Sequence, residues 1–61
     1  MNELHRMLRD FADRQRSAER EALREYRRGD AEQANYWDGK VEAYGEMMVE
    51  LNRLIVREND A

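Results

Sequence analysis

The sequence predicts an all-α fold, an antiparallel two-helix hairpin over about residues 3–28 and 31–58 that dimerises into a four-helix bundle. Three observations predict it. Charged residues make up 41% of the 61-residue chain and Pro is absent, while Ala, Leu, Met, Glu and Arg dominate, which is the composition of long helices. Apolar residues recur at steps of three and four in two separate stretches. Between those stretches, Gly29-Asp30 punctuates the chain near its midpoint.

Helix one carries Leu4, Met7, Leu8, Phe11, Ala12, Ala18, Ala22, Leu23 and Tyr26 at helical spacing on one side, with Gln15 and Glu19 as polar exceptions. The turn "RRGDAEQ" follows. Gly29 suits the left-handed position after a helix, and Asp30 suits the N-cap of the next, with Gln33 three residues on as a variant of the capping box. Helix two then carries the seam Ala34, Trp37, Val41, Tyr44, Met48, Leu51, Ile55, a coiled-coil-like stripe sustained over about three heptads. A short connection between two long helices makes them antiparallel neighbours.

Antiparallel packing requires the numbers of facing residues to have a nearly constant sum. Pairing Leu4 with Ile55, Leu8 with Leu51, Phe11 with Met48, Gln15 with Tyr44, Ala18 with Val41 and Ala22 with Trp37 meets this requirement and places the turn at the midpoint. Bulky Trp37 and Val41 thus oppose small Ala22 and Ala18, so facing layers interdigitate. The aromatic stretch "ANYWDGKVEAYGE" reads as packing, with Tyr36 off the seam and facing water or a partner. Gly39 and Gly45 each cost about 1 kcal/mol relative to Ala inside a helix. Gly45 borders the stripe, where a missing side chain either admits another helix backbone or is a tolerated weak spot. The Gln15–Tyr44 level either fixes register or sends the Gln head to solvent.

The whole chain, 1–61, reads as a single helical-hairpin domain. At this size a core leaves little margin over chain entropy. With no Cys and one His, neither disulfides nor a structural metal is expected to help, which leaves association. The second half of helix two points the same way, because its apolar residues spread over roughly 220° of arc, whereas one packing contact needs a stripe of roughly 100°. Met47, Val49, Leu54 and Val56, with Gly45 at the border, are therefore the candidate oligomer or partner interface.

Charge is sorted as well. Through residue 28 there are 8 Arg against 6 acids, a net of +2; from residue 29 there are 3 basic against 8 acidic residues, a net of −5. Arg6, Arg9, Arg16, Arg20, Arg24 and Arg27 form a candidate anion or RNA face on helix one, interrupted by Asp13. Asp38, Glu42, Glu46 and Glu50 form an acidic ladder on helix two, a candidate stripe for a basic partner. Both stripes also read as solvated faces.

No catalytic, cofactor or metal site is expected. His5 and Ser17 stand beside no recognisable base or orienting acid, a bundle Glu-x-x-His pattern is missing, and there is no Gly-rich phosphate loop. No run approaches the roughly 18 apolar residues of a membrane span, and no signal peptide precedes the domain, so a cytoplasmic protein without membrane or small-molecule partners is expected.

The segment "LREYRRGDAEQA" resembles the junction of a tetratricopeptide repeat, but each helix is about twice too long and no second repeat follows. Asp30-Ala31-Glu32-Gln33-Ala34 resembles the bend of the Rop-like family of plasmid regulators, whose two-helix hairpins pair into four-helix bundles. That resemblance covers the turn and overall size. It implies a homodimeric architecture, and RNA binding through the helix-one faces, although none of that family's functional residues aligns here. In size and composition the chain also resembles small helical proteins of phages and mobile elements. The expected function is a non-enzymatic protein-binding module, a regulator or inhibitor of a larger host or target protein. The alternatives are a Rop-like RNA binder using the Arg face and a structural or assembly component.

Overall fold

The computed structural model describes residues 3–60, excepting the side chain of Asp60, as two α-helices packed against each other. Helix α1 spans Glu3–Arg28 and helix α2 spans Ala31–Asp60. Residues 1, 2 and 61, the ends of the expected domain, lie outside the described residues. Among the described residues there is no strand. Helix α2 continues beyond residue 58, since Glu58 and Asn59 include no Gly or Pro to stop it. The hairpin is a rod of 49 × 17 × 10 Å, and its 14.4 Å radius of gyration exceeds the ~10 Å of a compact globule of this length.

Backbone accounting explains the turn. Gly29 has φ of +82°, a conformation in which a Cβ would meet the neighbouring carbonyl. Its N–H donates to Tyr26 O at 3.1 Å and the Asp30 N–H donates to Glu25 O at 2.9 Å, the paired bonds of a Schellman motif. Asp30 then begins α2: its carbonyl accepts from Ala34 N–H at 3.0 Å, and its Oδ1 accepts from Gln33 N–H at 3.0 Å. One residue closes the end of α1 and opens α2.

The buried apolar residues are Ala18, Ala22 and Ala34 toward the turn and Leu51 and Ile55 toward the open end. Among the described residues no large side chain is completely buried. Leu4, Leu8, Phe11, Trp37, Val41, Tyr44 and Met48 are half-buried along the seam. The Phe11 and Tyr44 rings meet at 6.0 Å between centroids, and Gln15 reaches both Val41 and Gly45, contacts that hold the helices in antiparallel register.

Three residues assigned to the α1 stripe depart from it. Leu23 and Tyr26 are at least half exposed and Met7 is exposed as well, while Glu25 is buried. The seam runs from Ala18 to Ala22 and then three residues on to Glu25, which leaves Leu23 about 100° round the helix from Ala22. Glu25 is accommodated near the turn, where Arg28 Nη1 approaches its Oε1 at 3.5 Å.

Two substitutions test this packing by chemical denaturation. Ala22→Leu puts extra methylenes into a position only 4% exposed and is expected to cost about 1–3 kcal/mol. Gly29→Ala is expected to cost about 1–2 kcal/mol through the left-handed backbone alone. Unchanged midpoints would contradict the seam and the turn respectively.

Candidate functional site

A helix packed on one neighbour buries one stripe, and the rest of its apolar arc stays in water. On α2 the residues left out are Met47 (48% exposed), Val49 (50%), Leu54 (43%) and Val56 (57%). They do not form one patch. Leu54 and Val56 are two positions apart, about 200° around the helix, with the Leu51 and Ile55 seam between them. The hairpin therefore has two apolar flanks.

Contacts across the pair identify each flank. Leu4 and Leu54 line one shallow groove together with Arg57 and Glu58, and Met47 stands about two turns before Leu54 on the same side of α2. Met7, one turn beyond Leu4, is also exposed. On the opposite flank the Tyr26 hydroxyl donates to Asp38 Oδ2 at 3.2 Å. Val49 and Val56 follow Asp38 by close to three and five whole turns, so they belong to that second flank.

Gly45 has a role inside the hairpin. A Cβ there would lie 3.1 Å from Gln15 Nε2, which donates to Val41 O at 3.1 Å. In a helix the side chain four residues on shields a carbonyl, so the missing Cβ at position 45 opens the Val41 carbonyl to Gln15. The space at Gly45 is thus taken by a side chain of α1, and the Gln15 head is neither paired with Tyr44 nor directed into solvent. Gly39 is exposed and faces open space. Tyr36 is exposed too, its ring edge-on to Trp37 at 5.3 Å with Lys40 Nζ 5.3 Å from the ring centroid.

The charged stripes are both on the surface. Arg6, Arg9, Arg16, Arg20, Arg24 and Arg27 are all exposed, on the side of α1 away from Ala18 and Ala22. Arg16 is paired with Asp13, and Arg24 Nη1 lies 3.6 Å from Glu21 Oε1. Asp38, Glu42, Glu46 and Glu50 are exposed as well. Each four-residue step advances about 40° around the helix, so the ladder winds from the Tyr26 flank toward the back of α2. Glu50 Oε1 accepts from Arg53 Nη1 at 2.8 Å, whereas Glu42 and Glu46 have no ion pair among the described residues.

Among the described residues no group of three His, Cys, Asp or Glu side chains is placed to hold a metal ion. No helix there is long and apolar enough to cross a membrane. What the arrangement offers chemically is contact: two apolar flanks, one basic stripe and one acidic spiral. No family model, curated protein or solved structure matches the chain.

The two glycines are expected to respond differently to alanine. Gly39→Ala meets open space and should stabilise by up to about 1 kcal/mol through helix propensity. Gly45→Ala should gain less or lose stability, because it crowds Gln15 off the Val41 carbonyl; adding Gln15→Ala should restore the propensity gain. Equal stabilisation by both single variants in thermal melts would contradict the Gln15 notch.

Proposed function

We propose that the chain is a small non-enzymatic protein-binding module that regulates or inhibits a larger protein, and that two hairpins pair into a four-helix bundle. The observation that carries this reading is the exposure of Met47 and Leu54 beside Leu4 and Met7, apolar surface that the hairpin's own helices leave in water. Two methionines give this flank flexible, polarisable side chains that adapt to a partner's contours. The scarcity of buried large side chains supports pairing, since a two-helix seam supplies little core on its own.

RNA binding is the second reading, favoured by the exposed Arg stripe and opposed by the net charge of −3. Capture from lysate, with and without nuclease, separates the two. Wild-type chain should retain a protein partner after nuclease treatment, and Met47→Asp with Leu54→Asp should weaken that capture about tenfold or more while helicity is kept. Recovery of RNA that nuclease abolishes, with no effect of the two Asp substitutions, would replace the protein-binding reading with the RNA one.

A further inference from the structure

Resting on the pairing proposed above, we infer that the second copy covers the Val49 and Val56 flank, and that the two hairpins lie with their turns at the same end of the bundle. The charges bordering that flank select both features. At mid-length, outward of the Tyr26–Asp38 side and past the exposed Glu19, the outer rim of α1 is basic through Arg16 and Arg20, and the outer rim of α2 is acidic through Glu42 and Glu46. The middle of this face therefore has a positive edge and a negative edge, and Val49 and Val56 continue the face toward the open end, where Arg53 and Arg57 stand beside Val56.

Two hairpins stacked through this face have two symmetric arrangements. A two-fold axis across the helices sets α1 on α1 and α2 on α2, which lays arginine against arginine and glutamate against glutamate. A two-fold axis along the helices sets each α1 on the other copy's α2, with the turns together, so that opposite charges meet at both rims over the middle of the bundle. The levels also agree. Gln15 sits between Val41 and Gly45 within one hairpin, which places Arg16 level with Glu42 and Glu46. A second copy with its turn at the same end has Glu42 and Glu46 at that same level. Arg20, one turn nearer the corner, is then level with Asp38 and Glu42 of the second copy. Glu42 and Glu46 have no ion pair within the described residues, so both are available to it. The Met47 and Leu54 flank lies on the other side of each hairpin and stays open to a target.

Charge reversal and a distance measurement test this arrangement. Sedimentation equilibrium of the full chain should show a dimer. Arg16→Glu with Arg20→Glu should weaken it about tenfold or more, as should Glu42→Lys with Glu46→Lys, and the combination of all four should restore it. A spin label on Glu32→Cys is unique because the chain has no Cys. Paired labels should lie within about 35 Å, since neighbouring bundle axes are spaced about 10 Å. A dimer with labels near or beyond the 49 Å length of one hairpin would overturn the same-end arrangement while leaving the pairing standing. A monomer would overturn both, and target capture through Met47 and Leu54 would be judged separately by its own variants. If the fourfold variant remains as weak as the double variants, or the Arg reversals abolish RNA retention without changing the dimer, the charged rims serve another ligand and the inference fails.

Discussion

The hydrogen bond from Gln15 to the Val41 carbonyl, made through the notch at Gly45, fixes the height at which the two helices meet. Apolar side chains along a seam slide past one another at modest cost, because dispersion has little directional preference. A polar donor with a single backbone acceptor does not. With that level set, Phe11 meets Tyr44, Tyr26 reaches Asp38, and Leu4 comes beside Leu54 at the open end. The same level determines which charges stand opposite which across any second hairpin. Gly45 gives up about 1 kcal/mol of helix propensity for this access.

The two helices divide the work unequally. Helix α1 is narrower in its apolar surface than α2 and presents arginine over much of the remainder, whereas α2 is apolar well beyond the stripe that α1 covers. Surface left exposed on both sides of α2 makes the hairpin two-sided, with Val49 and Val56 on one side and Met47 and Leu54 on the other.

Much of the fold is legible in the letters. Gly29, Asp30 and Gln33 mark the corner because their chemistry is local: a positive φ, a carboxylate acceptor and the amide it caps. The helix bounds follow from that corner and from the apolar period. Glu25 was not legible, since Leu23 and Tyr26 continue an apolar pattern that the geometry abandons, and only the seam's final step of three places a carboxylate inside. The acceptor of Gln15 was hidden for another reason. Side-chain letters give no sign of an exposed backbone carbonyl, and a glycine four residues beyond Val41 was its only trace. Exposure of Met47, Val49, Leu54 and Val56 follows from the width of the arc, but their division between two flanks needed the Tyr26–Asp38 and Leu4–Leu54 contacts.

Asp30 ends one helix and caps the next, so the corner has no spare residue. An insertion or deletion there cannot be absorbed as slack. Each residue added to or lost from the helical side of this corner would turn the rest of α2 about 100° on its own axis relative to α1. The seam would give way to a flank, and the acidic spiral would move relative to the arginine side. The length of this corner therefore acts as an angular setting for the molecule. A change of corner length would bring a different face of α2 against α1.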